Sequence, residues 1–205
     1  MFFNKFIKST FSINPILTHK YSTMSNRKAI VFVATSLDGY IAKSNDDLSF
    51  LSLVEQKGED YGYEEFIKTI DTVVLGRKTY DWVTKNISAS HYGERTTYVA
   101  TRTPRPSVGN THFYNGNLTE LVTKLKSEST GKNLFVDGGA EVVNSLVKDK
   151  LIDEFVISII PVILGGGVRL FKEGLSEQKL KLITSKHFEK GLVQIHYKLE
   201  DHSEQ

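Results

Sequence analysis

A short apolar segment, followed by a glycine and two cations, constrains the fold of this chain most strongly. Residues 72–75 are Thr-Val-Val-Leu, a β-branched apolar run that is typical of a buried parallel strand. Gly76 permits a tight turn, and Arg77, Lys78 and Thr79 follow where a helix can begin. A helix N-terminus offers free N–H groups and the positive end of the helix dipole. The segment therefore indicates either a phosphate-binding turn or a basic surface turn between a strand and a helix.

Segments with strand and helix patterns alternate through the rest of the chain. Apolar runs predict strands at residues 28–34, 72–75, 96–101, 133–136 and 154–160. Helical spacing of apolar residues predicts helices near residues 63–70, 77–83, 118–125 and 140–148. Residues 180–187 and 192–199 predict a terminal strand pair joined by Glu189-Lys190-Gly191. We therefore expect an α/β fold of three layers, with a mostly parallel central sheet and antiparallel C-terminal strands.

The N-terminal arm differs in composition from the remainder. Residues 1–37 contain no Asp or Glu but five Lys or Arg, and apolar and hydroxyl side chains alternate among them. This composition is typical of a mitochondrial transit peptide. A disordered extension, with Met24 as an alternative start and a cytoplasmic location, stays open. We expect residues 1–27 to be this extension, residues 28–200 to be one domain, and residues 201–205 to be a tail.

Composition argues against several classes of function. The net charge of +2 is too small to indicate binding to nucleic acid or to an anionic membrane. No apolar run reaches the roughly 18 residues of a membrane-spanning helix. The chain has no cysteine, which excludes disulfides, cysteine nucleophiles and thiolate metal ligands. Its six histidines lack the spacing of metal ligands, so we expect no catalytic metal.

Three predicted strands end in turns that suit phosphate groups. In a mostly parallel sheet, ligands bind beyond the carboxyl ends of the strands. The turns are residues 76–79, Thr101 with Arg102, and Gly138-Gly139-Ala140-Glu141. Neither the G-x-G-x-x-G fingerprint nor a Walker loop is present, which argues against phosphoryl transfer. The three turns together predict an adenine dinucleotide bound in another way, and the extra cations favour NADPH.

Four motifs give the chain a resemblance to a known family. They are residues 35–42 (TSLDGYIA), 76–80 (GRKTY), 136–141 (VDGGAE) and 161–171 (PVILGGGVRLF). In this order they resemble the RibD C-terminal reductase family, a dihydrofolate reductase-like group that includes the reductase domain of the riboflavin pathway. The similarity spans about residues 28–199. The deaminase domain of bifunctional RibD proteins carries cysteine zinc ligands, so this chain is expected to be a stand-alone reductase domain.

The resemblance implies a dihydrofolate reductase-like fold that uses NADPH to reduce a small C=O or C=N substrate, similar to a riboflavin precursor or a pterin. It also implies a cis bond between the two glycines of the third turn. The implied cofactor-binding residues are Thr35 beside the nicotinamide, Gly76, Arg77, Lys78 and Thr79 at the phosphates, Thr101 and Arg102 near the 2′-phosphate, and Gly138, Gly139, Ala140 and Glu141 at the pyrophosphate. No arginine between Trp82 and Arg95 matches the residue that binds the folate tail, which argues against folate.

Two acids are candidate catalytic residues. Asp38 lies in the turn after the first strand, where it would orient a water or polarise the acceptor, or cap its own Asp-Gly turn. Glu65 lies early in a predicted helix, where an acid also favours the helix dipole. His91, in a polar loop, is expected on the surface.

A non-catalytic nucleotide-binding or interaction protein that keeps only the cofactor site is the alternative to a reductase. Related reductase domains pair as homodimers, and residues 155–164 are apolar enough to take part.

Overall fold

The computed structural model describes residues 27–200, and the predicted targeting arm and tail lie outside these residues apart from Arg27. The strands are β1 (Ala29–Ser36), β2 (Tyr40–Ala42), β3 (Ile70–Gly76), β4 (Thr96–Ala100), β5 (Thr111–Tyr114), β6 (Asn133–Gly138), β7 (Glu154–Ile160), β8 (Val168–Arg169), β9 (Leu180–His187) and β10 (Val193–Leu199). The α-helices are α1 (Tyr63–Lys68), α2 (Arg77–Asn86), α3 (Leu118–Ser127) and α4 (Ala140–Lys148).

Eight of these strands form one sheet in the order β5-β4-β3-β6-β1-β7-β10-β9. The first six strands in this order are mutually parallel, and β10 is antiparallel to both of its neighbours. β2 and β8 form a separate antiparallel pair beside the sheet. The expected mostly parallel sheet with antiparallel C-terminal strands is therefore confirmed.

Helices cover both faces of the sheet because successive residues of each strand point to opposite sides. On β3, Val73 and Leu75 pack with side chains of α1 and α2, whereas Val74 packs with side chains of α3 and α4. All three valine and leucine side chains are fully buried. This arrangement gives the three layers expected from the sequence, and their core lies between each helix pair and the sheet.

The chain changes direction between β3 and β6. From β3 it continues outward to β4 and β5, and α3 then returns it to place β6 on the other side of β3. Such a reversal is a topological switch point, where open α/β sheets bind ligands at the carboxyl ends of their strands. The residues that follow β3 and β6 are the glycine turns that precede α2 and α4.

Arg27 attaches the first described residues to the opposite, amino end of the sheet. Its guanidinium donates to the Asp71 carboxylate at 2.6 Å, to the Thr72 hydroxyl at 2.9 Å and to the Lys132 carbonyl at 2.7 Å. It also forms an ion pair with Glu128. The fold therefore includes Arg27, one residue before the expected start of the domain.

β9 forms an edge of the sheet, and every residue of this strand is exposed. β7, which carries most of the segment predicted to take part in dimerisation, lies inside the sheet between β1 and β10. Both edges of β7 are therefore already hydrogen-bonded to strands of the same chain and are not open to strand pairing with a second copy. Among residues 27–200, no helix has the length and apolar character needed to cross a membrane.

Candidate active site

The glycine turns after β3 and β6 lie against each other at the switch point. A side-chain carbon added to Gly76 would lie 3.4 Å from Val142 Cγ2 and 3.7 Å from the Gly139 nitrogen. A carbon added to Gly139 would lie 3.2 Å from Thr79 Oγ1. The peptide bond between Gly138 and Gly139 is cis, as the family resemblance implies. Two of the three turns singled out in the sequence thus form one surface, in which glycine allows the close approach.

No side chain caps the helices that begin at these turns. Gly76 and Gly139 occupy the N-cap positions of α2 and α4, and neither helix has a side-chain hydrogen bond at its cap. By contrast, the Asn117 side chain caps α3 by accepting from the N–H groups of Thr119 and Glu120. The first N–H groups of α2 and α4 are therefore available to an anion at the switch point.

Two arginines approach one carboxylate beside the start of α2. Arg77 forms an ion pair with Asp81, one helical turn later, and Arg105 Nη1 lies 3.6 Å from the same carboxylate. The Arg105 guanidinium also lies 5.5 Å from the centre of the Phe113 ring. The sequence analysis missed Arg105, although it follows Arg102 by three residues in the same loop. A phosphate group placed here would contact two guanidinium groups. Both of them now lie beside the Asp81 carboxylate.

The other predicted cofactor residues occupy the same end of the sheet. Thr101 continues from β4, where its N–H donates to the Tyr114 carbonyl at 2.9 Å. Glu141, in the first turn of α4, forms an ion pair with Lys172. Lys78 and Arg102 are exposed, Ala140 is buried at the start of α4, and Thr35 is buried near the end of β1. The structure therefore places every predicted cofactor residue at or just beyond the carboxyl ends of β1, β3, β4 and β6.

Asp38 joins the turn after β1 to the glycine-rich loop after β7. Its carboxylate accepts hydrogen bonds from Ser36 Oγ at 2.6 Å, from the Leu164 N–H at 3.0 Å and from the Gly165 N–H at 2.7 Å. The Ser36 hydroxyl, followed by these N–H groups, lowers the pKa of Asp38 to about 2. The group is an ionised acceptor at neutral pH, which favours the structural interpretation over a proton-donating role.

Glu65 lies on the exposed surface of α1, away from the carboxyl ends of the strands where the predicted cofactor residues lie. Its side chain is 79% exposed and forms an ion pair with Lys68 on the outer surface of α1. The neighbouring Phe66 packs against the sheet instead. The structure therefore does not bring Glu65 to the switch point.

Asp137 is a candidate that the sequence analysis read only as part of a turn. It immediately precedes Gly138, and the Tyr92 hydroxyl donates a hydrogen bond to its carboxyl. Burial raises the pKa of Asp137 to about 7, although the hydrogen bond from Tyr92 by itself lowers this pKa. A carboxyl with this pKa exchanges protons near neutral pH, which is the property expected of a general acid or base.

Aromatic side chains cluster on the α1 and α2 face of the sheet, and two of them, Tyr63 and Tyr92, interact with this carboxyl. Phe32 stacks on Phe66 at 4.7 Å between ring centres, and Tyr63 Oη lies 3.4 Å from His91 Nε2. Burial raises the pKa of Tyr63 to about 12, and the Asp137 charge adds to this effect. His91 keeps partial exposure, and its ring stacks on Tyr63. The loop folds inward because Tyr92, its buried aromatic residue, packs in the core beside it.

The sheet order and the paired glycine turns at its switch point define a dihydrofolate reductase-like fold. The chain belongs to the RibD C-terminal domain family, whose sequence model matches residues 27–194. Two relatives from Bacillus subtilis (strain 168) are the uncharacterized proteins YwjB and YyaP. YwjB is 42% identical over 173 residues, which cover 83% of this chain and 97% of YwjB. YyaP is 32% identical over 187 residues, which cover 86% of this chain and 97% of YyaP.

Solved structures agree with this assignment. A protein from Shewanella sp. PV-4, named as a candidate riboflavin biosynthesis protein, is 31% identical with a TM-score of 0.76, covering 85% of this chain and 99% of its own. Dihydrofolate reductase from Enterococcus faecalis, complexed with NADP(H) and RAB-propyl, has the same fold, with a TM-score of 0.61 at 18% identity. The match covers 85% of this chain and 97% of the reductase. RibD from Acinetobacter baumannii matches with a TM-score of 0.63 at 15% identity over 58% of its length.

Metal ligands are not clustered in the described part of the chain. Among residues 27–200, no three His, Asp or Glu side chains are placed to hold a metal ion. The helix N–H groups and the Arg77 and Arg105 guanidinium groups near the switch point suit phosphate oxygens.

Proposed function

We propose that this protein is an NADPH-dependent reductase of a small C=O or C=N compound. The observation that carries the proposal is the pair of uncapped helix N-termini, α2 and α4, whose glycine caps lie against each other at the switch point. Two such termini side by side suit the two phosphates of a pyrophosphate. Support also comes from the family assignment and from the fold shared with an NADP(H)-bound dihydrofolate reductase.

The groups present fit the parts of this cofactor. The N–H groups that begin α2 and α4 would bind the pyrophosphate, and Gly76 and Gly139 allow the two turns to lie close together. Arg77 and Arg105 would bind the additional phosphate that distinguishes NADPH from NADH, and Asp81 orients both guanidinium groups. When bound, the reduced nicotinamide supplies a hydride. The protein orients the two reactants and provides a proton to the acceptor.

The relatives and an aromatic cluster on the α1 and α2 face of the sheet support a proposal for the substrate class. Phe32, Tyr63 and Phe66 form an aromatic cluster in which Tyr63 interacts electrostatically with Asp137, and aromatic rings suit a planar acceptor such as a riboflavin precursor or a pterin. The Shewanella relative is named for riboflavin biosynthesis. We therefore propose that the acceptor is of this type, with the hydride delivered to a C=N or C=O carbon.

Fluorescence titration tests cofactor binding directly. We expect the protein to bind NADPH more tightly than NADH, and Arg77→Ala to weaken NADPH binding by about tenfold or more with a smaller effect on NADH. Lys124→Ala, which removes an exposed cation from α3, is the matched control. If Arg77→Ala lowered the affinities for NADPH and NADH equally, this result would contradict the proposed contact of Arg77 with the extra phosphate.

A turnover assay separates a reductase from a binding protein. NADPH oxidation is followed at saturating cofactor over a panel of carbonyl compounds, pterins and ribitylamino-pyrimidine precursors. Oxidation that depends on one acceptor supports the reductase. Failure to bind NADPH would end the proposal, and binding without turnover would favour a nucleotide-binding protein that has no reductase activity.

We also propose that the protein forms a homodimer through the β9 edge of the sheet. Exposed apolar side chains occur on β9 and β10 at Leu180, Leu182, Ile183 and Val193. A second copy that covered them would remove an apolar surface and an unpaired strand edge from water. Light scattering after size exclusion should report a dimer, and Leu182→Glu should convert it to a monomer. A monomeric wild-type protein would exclude this proposal.

We further propose mitochondrial targeting by the arm before the domain. A fluorescent fusion of the full chain should reach mitochondria, and a fusion that starts at Met24 should stay in the cytoplasm. Mitochondrial import of the shorter fusion would refute the targeting role.

A further inference from the structure

A cavity of about 190 Å³ lies between α2, the loop of residues 88–95 and the first residues of β4 and β5. Thr97, the second residue of β4, contributes to its lining. Because a strand rises about 3.3 Å per residue, Thr97 lies about 13 Å from Thr101, which is at the cofactor end of the same strand. The cavity is therefore distinct from the site proposed for the cofactor.

The lining of this cavity is polar and contains no acidic residue. Seven of its residues carry a hydroxyl group, and Asn110 adds an amide. The Asn110 amide nitrogen donates to the Glu94 carbonyl at 2.8 Å. Arg95 is the charged residue of the lining. A ligand in the cavity would therefore contact hydroxyl groups and one positive charge, with no carboxylate to repel an anion.

The Arg95 guanidinium has one nitrogen without a partner. Nη1 donates to the Tyr92 carbonyl at 3.0 Å, and Nη2 donates to the Ile67 carbonyl at 2.8 Å. Nε is buried and makes no hydrogen bond within residues 27–200. A buried N–H group without an acceptor is costly, and a buried cation is normally paired with an anion. The Nε–H group is thus a donor suited to a negatively charged ligand.

Hydroxyl groups from α2, the loop and β5 complete the set of donors. The hydroxyl groups of Tyr80 and Thr111 make no hydrogen bond within the described part of the chain. Ser88 Oγ and Ser90 Oγ lie 3.0 Å apart, so one donates to the other and one hydroxyl hydrogen stays available. The Thr84 hydroxyl, by contrast, already donates to the Tyr80 carbonyl at 2.9 Å. Donors on three sides suit a tetrahedral oxyanion better than a planar carboxylate.

We propose that this cavity binds a small oxyanion of the phosphate type, held by Arg95 Nε and by the hydroxyl groups of Tyr80, Thr111 and the Ser88–Ser90 pair. Its volume is that of about six water molecules at about 30 Å³ each, and it is below the roughly 300–1,000 Å³ of pockets for larger ligands. This size suits free inorganic phosphate. An anion bound there would join α2 to the edge strand β5. The site does not depend on the proposed reductase function.

Calorimetric titration with inorganic phosphate, at constant ionic strength and without cofactor, tests the site. We expect saturable binding with a Kd of about 1 mM or lower, and Arg95→Gln should weaken it by about tenfold or more because a charged donor is lost. Lys85→Gln removes an exposed cation of α2 outside the cavity and is the matched control. Absence of saturable binding, or equal binding of acetate, would overturn the proposal.

Arg77→Ala distinguishes the cavity from the switch point, which also suits phosphate. The binding event that Arg95→Gln weakens should persist in Arg77→Ala. If phosphate binding were instead lost in Arg77→Ala and kept in Arg95→Gln, the anion would belong to the cofactor site and the proposal would be overturned. Glycerol 3-phosphate should bind more weakly than phosphate because the cavity is small. Tighter binding of this ester would exclude the assignment to the free anion.

Thr111→Val and Ser90→Ala keep Arg95 and its carbonyl contacts, so they test the site even if Arg95→Gln does not fold. Each variant removes one hydroxyl group from the lining and should weaken phosphate binding by about two- to tenfold. In ¹⁵N-labelled wild-type protein, phosphate should shift the amide resonance of Thr111, whereas Gly76 and Gly139 report on the switch point. Wild-type affinity in both variants, or shifts confined to these two glycines, would also overturn the proposal.

Discussion

Replacing Asp137 by asparagine has a consequence for stability that is independent of catalysis. Burial raises the pKa of Asp137 from 3.8 to about 7 in the folded protein, whereas the unfolded chain keeps the ordinary value. Between these pH values the folded state binds more protons than the unfolded state, so the free energy of unfolding falls as pH rises. Each pKa unit corresponds to about 1.4 kcal/mol, so the whole interval corresponds to about 4 kcal/mol.

Asparagine cannot ionise, and its side-chain oxygen can accept the Tyr92 hydroxyl as the carboxyl does. We therefore expect the two proteins to differ little near about pH 4, and the variant to be more stable by up to about 4 kcal/mol above about pH 7. Urea unfolding at a series of pH values measures this difference. Trp82, the single tryptophan of the chain, packs beside the α2 face of the sheet and provides the fluorescence signal.

Asp149→Asn removes the same charge from an exposed position and corrects for the change in net charge. The diagnostic quantity is the stability difference between Asp137→Asn and wild type, plotted against pH. A difference that stayed constant from about pH 5 to about pH 8 would show that the folded structure does not suppress ionisation of Asp137. The raised pKa of Asp137 in the folded protein would then be refuted.

Three further perturbations test other parts of the structure. Arg27→Met should lower the free energy of unfolding by about 1–3 kcal/mol in urea titrations, because it removes a buried donor from the partly exposed Asp71 carboxylate and from the Lys132 carbonyl. The Asp38 contribution to stability is present above pH 3.8 and lost as pH falls to about 2, so Asp38→Asn should reduce this acid-induced loss in circular dichroism titrations. Gly139→Ala places a carbon 3.2 Å from Thr79 Oγ1 and should weaken NADPH binding by about tenfold or more in fluorescence titrations, with the fold retained.

Each of these perturbations has an outcome that would contradict it. Lys124→Met serves as the control for Arg27→Met, and equal effects of the two would mean that the buried ion pairs do not stabilise the fold. An acid titration unchanged by Asp38→Asn would mean that the carboxylate does not hold the loop after β7. Wild-type NADPH affinity in Gly139→Ala would mean that the cofactor does not approach this turn.

Much of the fold could be predicted because its signals are local. The helix α4 and the strands β7 and β9 have the predicted bounds, since apolar periodicity and neighbouring glycine or polar residues mark both ends. The β3 to α2 turn was recognisable from Gly76 alone. β5 was not predicted, because Thr111–Tyr114 has only four residues and no apolar run.

The surroundings of Asp137 could not be predicted, because they depend on contacts between residues far apart in the sequence. Asp137 and Tyr92 are 45 residues apart, and their hydrogen bond forms only when the loop after α2 folds against β6. Asp38, by contrast, has its three partners in two turns, and only its own Asp-Gly turn was visible in the sequence. The register of β6 against β3 is irregular between Val136 and Gly138, so alternation along the strand gives no signal for Asp137.

The attachment of Arg27 limits where the chain could be cut before the domain without loss of these contacts. Its guanidinium joins the first described residue to two distant segments, through Asp71 in one and through Glu128 and the Lys132 carbonyl in the other. A protease that cuts on the N-terminal side of Arg27 keeps these ties, whereas a cut one residue later removes the guanidinium and leaves Asp71 without it. If the arm is cleaved in an organelle, the stable product must therefore begin at or before residue 27.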